Sequence, residues 1–209
     1  MIFRNFAVFE GIDGTGTTTQ LREIEKRYSS LGRKTWFTAE PTDGDTGKLI
    51  RTILSGESRV HPDTMARLFA ADRCEHLYGV GGIAERLADG TAVFSDRYVF
   101  SSLAYQGSTC DPELTALLNA DFPLPEYVFF FDIDPAVSME RIRARGGSAE
   151  IYEREAFQRL VRERYRRLFD RYETEEPGMR VVRIDASRPI AEITEKIWSI
   201  VSELPKIYA

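Results

Sequence analysis

The chain has 209 residues, 43% of them hydrophobic, and 28 basic against 33 acidic side chains give a net charge of −5. That length and apolar content suffice for one sizeable core, so a single domain is expected. No run of about 18 apolar residues offers a membrane span; the opening "MIFRNFAVFEGID" lacks the layout of a signal peptide, and the acidic balance argues against a protein that coats nucleic acid.

In chain order, "FAVFE" (6–10) predicts a first strand. It runs into Gly11-Ile12-Asp13-Gly14-Thr15-Gly16, a glycine-bearing turn, and Thr17-Thr18-Thr19 opens a helix over 17–31 that Gly32 closes. "KTWFTAE" (34–40) reads as the second strand and is followed by a helix over 46–55. A long helix over 62–88 starts at Pro62. "TAVFSD" (91–96) is the third strand, with a helix over 98–107 behind it. "EYVFFFDID" (126–134) is the fourth, followed by helices over 135–145 and 153–175. "MRVVRIDA" (179–186) is the fifth, and a last helix over 189–203 begins at Pro189. The strands are nearly continuous in apolar residues, as for strands covered on both faces. Strand–helix alternation then predicts an α/β fold: a three-layer domain with a parallel five-stranded sheet and helices on both faces.

In such sheets ligands sit at the carboxyl ends of the strands. Asp13, Glu40-Pro41, Asp96-Arg97-Tyr98, Asp132 and Asp134 all fall there. The turn from Gly11 to Gly16 can cup an anion in backbone N–H groups. Its pattern is that of a phosphate loop, G-x-x-x-x-G-K-[ST], except that Thr17 stands where lysine belongs. Thr18 then holds the place of the hydroxyl that meets Mg²⁺. Cys74 and Cys110 lie far apart, form no metal-ligand pattern and read as buried or idle thiols of a reducing compartment. Only five of the basic residues are lysines; the rest are arginines, whose planar fork suits phosphate oxygens.

"FEGIDGTG", "EP" after the second strand, "LFAADR", "SDRYVFSSLAYQG" and "DIDPAVSMERIRARG" follow one another in an order and spacing that resembles the thymidylate kinases over nearly the whole chain. The resemblance implies a P-loop NTPase-type fold forming a single nucleoside monophosphate kinase-like domain over 1–209, and phosphoryl transfer from Mg·ATP to dTMP in a cytoplasmic homodimer, with no nucleic-acid or membrane partner. It implies that Gly11, Asp13, Gly14, Thr15, Gly16, Thr17, Thr18 and Thr19 serve the ATP phosphates, with Thr18 and Asp96 at the Mg²⁺, mostly through water. It places Phe69 on the pyrimidine and Arg73 on the 4-oxo group. Arg97 would grip the monophosphate, Asp13 would meet the 3′-hydroxyl or the metal region, and Asp96 would steady Arg97 or accept around the metal. Ser101, Ser102 and Gln106 would line the base edge, Tyr105 would crowd the 2′ carbon, and Pro41, Leu54 and Arg51 would form the wall and a second phosphate-side cation.

The resemblance further implies a lid around 141–153, with Arg143 and Arg145 as its catalytic cations. Arg141 and Arg145 share a helix face, while Arg143 points elsewhere. The chain departs from the family pattern twice: Thr17 replaces the lysine, and Ala39 stands where an arginine commonly precedes Glu40. Phosphoryl transfer needs alignment and positive charge. Arg143, Arg145, Arg22 or a bound ion are therefore the candidates to replace the lysine. The alternatives to a dTMP kinase are a kinase for another (deoxy)nucleotide and a catalytically impaired nucleotide-binding protein on the same fold.

Overall fold

The computed structural model describes residues 1–145, 152 and 154–208, with Arg145 described by its backbone alone. Residues 146–151 and 153, the middle of the expected lid, lie outside the described residues.

Five parallel strands form one sheet in the order β2-β3-β1-β4-β5: β1 (Ile2–Gly11), β2 (Thr35–Ala39), β3 (Ala92–Asp96), β4 (Leu124–Asp132) and β5 (Arg180–Asp185). The helices between them are α1 (Thr17–Ser29), α2 (Asp45–Leu54), α3 (Pro62–Tyr78), α4 (Ile83–Ala88), α5 (Val99–Tyr105), α6 (Pro112–Asn119), α7 (Pro135–Arg145), α8 (Glu155–Glu175) and α9 (Ile190–Val201). The α/β class and all five strands match the sequence reading.

Register explains the layers. Paired residues of a parallel sheet share a face, and the pairs Ala7↔Phe94, Phe37↔Phe94 and Phe9↔Phe129 put these aromatic rings on one side. There Tyr28 of α1 packs on Phe37, Phe94 and Trp198 of α9. The alternate positions, Glu10↔Phe130, look the other way, where Phe130 packs on Tyr165 and Phe169 of α8, and Phe100 of α5 joins them. The cores of β1, β3 and β4 are buried on both faces, as their unbroken apolar runs require, whereas the edge strands depart from that expectation: β2 is half-buried throughout and β5 alternates buried with exposed positions.

Two expectations change. The helix expected over 62–88 is two, because Gly79-Val80-Gly81-Gly82 interrupts it. A side chain at Gly82 would meet the carbonyl oxygens of Gly79, His76 and Leu77 at 2.8–2.9 Å, so the chain folds back there through close backbone contact. The helix α6, which was not expected, starts with Asp111 accepting from the Glu113 N–H and Pro112 in the first turn. Neither cysteine is buried: Cys74 is exposed and Cys110 partly so, and both are free.

The outgoing connections of β1 and β3 run in opposite directions along the sheet, which opens a crevice at their carboxyl ends. Phe9 pairs with Asp96, and Ala39 with the same residue from the other side, so the polar strand ends lie level.

Candidate active site

The turn after β1 leads into α1 through Gly16 at φ 94, and no side chain caps the first turn. Its N–H groups are therefore left for a ligand, and the helix dipole favours an anion. Gly14 is required in the turn: its φ is 81, and a Cβ would stand 2.6 Å from the Ser138 carbonyl. Gly14, Thr15, Gly16, Thr18, Thr19 and Arg22 wall a cleft of about 620 Å³. Across it stand Arg141 and Ala144 of α7, and Arg188, Ile190 and Ile193 around the start of α9.

Thr17 is buried and does not line this cleft, so only its backbone remains for the phosphate role expected of it. Gly11 is buried as well, and Asp13 lines a different cavity. Arg141 lines the cleft and Arg143 does not, which reverses the weight given to the two; the Arg145 side chain lies outside the described residues.

Beside the loop, the Thr18 hydroxyl donates to Asp96 Oδ2 at 2.5 Å. The other oxygen, Oδ1, is buried and has no hydrogen-bond partner among the described residues. An unpartnered carboxylate oxygen at that depth is costly, so it suits an occupant with positive charge or a proton to donate. A hydroxyl and a carboxylate are hard oxygen donors and fit Mg²⁺, which keeps several of its waters. Among the described residues no cluster of three acidic, histidine or cysteine side chains could hold a metal alone, so the rest of its shell would be water and phosphate.

The carboxylate that hydrogen-bonds Arg97 is that of Asp13, not Asp96. Arg97 sits at φ 72, a left-handed backbone that is uncommon for a side chain of its kind. Its guanidinium donates to Asp13 Oδ1 at 2.5 Å, to the Gly11 carbonyl at 3.2 Å and to the Ser101 hydroxyl at 3.2 Å, and it lies 5.2 Å from the Tyr105 ring centre. Burial works against its charge, yet the carboxylates of Asp13 and Asp96 hold it protonated, above the ordinary guanidinium range.

The strained backbone is held from beneath. The Arg97 N–H donates to Phe9, the Ser95 hydroxyl donates to the Arg97 carbonyl, and the next N–H, of Tyr98, donates to Glu10 at 2.8 Å. Glu10 is wholly buried on the α5–α8 side of the sheet and also accepts from the Ser101 hydroxyl and from Tyr165. Burial raises its pKa to about 7 despite these donors. The sequence reading passed over Glu10, although a carboxylate inside "FAVFE" is itself a signal, because a buried charge must have partners.

Asp13, Arg97, Ser101, Tyr105 and Gln106 form one side of a second cavity of about 260 Å³. Pro41, Arg51, Leu54 and Phe69 form the other, and Tyr152 closes it. Nine of the residues expected at the acceptor thus come together from the turn after β1, the segment after β2, α2, α3 and the region behind β3. Tyr152 was missed, and so was Gln158 of α8. The fully buried Gln158 amide donates to Asp13 Oδ2 at 2.7 Å and to the Tyr152 carbonyl at 3.0 Å.

Arg73 and Ser102 do not line the cavity. Arg73 lies fully buried behind it, donating to Glu40 at 2.7 Å, to the Ser102 hydroxyl at 3.1 Å and to Asn119. Its burial is thus satisfied by protein, with Glu40 as the anionic partner that an arginine on an apolar helix face demands. Phe69 keeps both readings, since it lines the cavity while packing on the cluster of Ile50, Ile53 and Met65. Arg51 donates to the carbonyls of Pro41 and Thr42, each at 2.5 Å, and remains exposed at the cavity's edge.

Asp13 and Gly14 are consecutive, yet they line different cavities, so the two spaces meet at the phosphate loop. Room for a phosphorylated donor on one side of that loop and an acceptor on the other is the layout of a P-loop phosphotransferase. Comparison with known proteins narrows the class. The model of the thymidylate kinase family matches residues 9–197. A protein of Treponema pallidum (strain Nichols), provisionally named a thymidylate kinase, is 48% identical over 196 residues, covering 94% of each chain. Two archaeal proteins so named are also similar. That of Pyrococcus horikoshii is 36% identical, covering 94% of this chain and 95% of its own, and that of Methanococcus maripaludis is 38% identical, covering 97% and 98%. The chain belongs to the thymidylate kinase family.

Proposed function

We propose that this enzyme transfers the γ-phosphoryl group of Mg·ATP to the 5′-phosphate of dTMP, giving dTDP and ADP. The observation that carries this reading is the second cavity, where Arg97 and Asp13 stand next to the phosphate loop and Phe69, Tyr105 and Gln106 offer a flat apolar and amide-edged seat for a base.

The roles follow from the contacts. Arg97, fixed by three acceptors, presents the rest of its guanidinium to the acceptor phosphate, so little ordering entropy is lost when that phosphate arrives. Asp13 keeps Arg97 in place and faces the sugar. Tyr105, buried beneath Arg97 with its hydroxyl pKa pushed up by burial, stays neutral and gives the sugar an apolar wall. Arg73 acts behind the seat by holding Ser102 and Glu40. The loop N–H groups take the donor phosphates, and Ile190 and Ile193 offer the donor base an apolar flank. Thr18 and Asp96 would hold Mg²⁺, whose positive charge would offset that of the donor phosphates. We further infer a cytoplasmic homodimer packed through the helices of residues 62–88; among the described residues no helix is long and apolar enough to cross a membrane.

The test is ADP release on mixing the protein with Mg·ATP and dTMP, with dUMP, dCMP, dGMP and AMP in parallel. Turnover confined to dTMP, with dUMP a weak second, is expected. A buried, uncharged Thr17 favours one other reading, a binding protein without catalysis, and binding of dTMP with no turnover under any donor or metal would establish it.

A further inference from the structure

Resting on the kinase reading above, we propose that Arg22 of α1 is the cation of the phosphate loop, contacting the donor phosphates from one helical turn behind Thr18 and replacing the charge that residue 17 does not supply.

The loop is short of positive charge. Asp13 and Asp96 flank it, Arg97 is engaged with Asp13, and Thr17 is neutral and buried. Three arginines line the donor cleft among the described residues: Arg22, Arg141 and Arg188. Arg188 pairs with Glu192 at 3.1 Å and stands with Ile190 at the α9 end. Arg141 belongs to α7, on the wall across from α1. Arg22 alone rises from the helix that the loop opens, and it makes no hydrogen bond or ion pair among the described residues.

Direction and room agree. Side chains on a helix lean toward its N-terminus, and residues four apart lie one above the other. The Arg22 side chain therefore lies over Thr18, whose hydroxyl meets Asp96. Thr18 and Arg22 also line a third cavity, of about 450 Å³, together with Thr38, Ala39, Thr42 and Arg51. Arg51 in turn lines the acceptor cavity. Arg22 thus stands at the partition between donor cleft and side cavity, and the small Ala39 leaves it space to swing. A guanidinium with no partner among the described residues, on a long stem beside the hydroxyl that meets Asp96, can close on phosphate without first breaking an ion pair.

The experiment is steady-state kinetics on wild type, Arg22→Ala, Arg22→Gln, Thr17→Lys and the double variant Thr17→Lys/Arg22→Ala, each checked for dTMP binding and thermal melting. Arg22→Ala and Arg22→Gln are expected to lower kcat at least about 1,000-fold, the low side of what one arginine supplies in phosphoryl transfer, with the KM for dTMP within about threefold of wild type. The double variant is expected to recover at least about tenfold over Arg22→Ala, because the lysine restores the same charge. Retention of kcat within about threefold in both Arg22 variants overturns the proposal, and so does a loss as large in the Thr17→Lys background as in wild type. A wild type that is inert until Thr17→Lys restores turnover also overturns it, while leaving the dTMP reading standing. Turnover of some other acceptor alone sinks the dTMP reading and leaves the Arg22 comparison fully readable.

Discussion

The acceptor and donor sides of this site are built on opposite plans. On the acceptor side the charged groups are already engaged: Arg97 with Asp13, Gly11 and Ser101, and Arg73 with Glu40, Ser102 and Asn119. On the donor side the cradle is backbone, and Arg22 stands over an open cleft with no partner among the described residues. The difference teaches where selectivity resides. A pre-set acceptor cavity rejects misfits because any shift must break buried contacts. A backbone cradle with mobile cations grips any triphosphate and acquires its charge arrangement only on closure.

Removing the central acceptor cation should break this contrast most severely. Arg97→Ala is expected to lower kcat/KM for dTMP by about 10³-fold or more while ATP affinity changes by less than about tenfold, read by initial rates and ATP titration. Comparable losses for both substrates would mean that the two plans are one. Next in size is Glu40→Ala, which strands the buried Arg73 guanidinium. About 3–5 kcal/mol of stability should be lost, a fall in Tm of roughly 10 °C or more by calorimetry. An unchanged melting point would show that Arg73 is not held by Glu40 in solution.

The third prediction sharpens the acceptor plan through pH. The Glu10 carboxyl rises from 4.5 to about 7 on folding, so the folded state binds its proton more tightly than the unfolded chain does. That contribution is complete below pH 4.5 and is lost as pH rises through 7. It amounts to about 3 kcal/mol for a shift of this order. Unfolding free energies from pH 4.5 to 7.5 should decline more steeply in wild type than in Glu10→Gln. Equal slopes would remove Glu10 from the account.

The sheet could be read from the sequence because both-face burial imposes unbroken apolar runs such as "YVFFF", which short-range pattern reveals. The split at Gly79–Gly82 was readable as well, since three glycines in four residues oppose a helix. In the site, the nine cavity residues lay in segments with a known order. Tyr152 and Gln158 did not: Gln158 meets Asp13 across 145 positions of sequence, and an amide in an arginine-rich helix carries no local mark of such a contact. Arg73 shows the converse. Its need for an anion was legible, but the choice of Glu40 over the ligand was settled by packing.

One consequence concerns how this chain can change by mutation. Holding residue 97 at φ 72 costs about 1–3 kcal/mol when its side chain is not glycine. Once phosphate binding at this position ceases to matter, glycine and asparagine there relieve that strain, against the loss of the contacts to Asp13, Gly11 and Ser101. Position 97 is thus a one-way valve: drift would empty it of arginine quickly, and returning would mean reinstalling strain before any activity came back. A chain that still carries arginine there, on a backbone it does not favour, bears the mark of a site in continuous use.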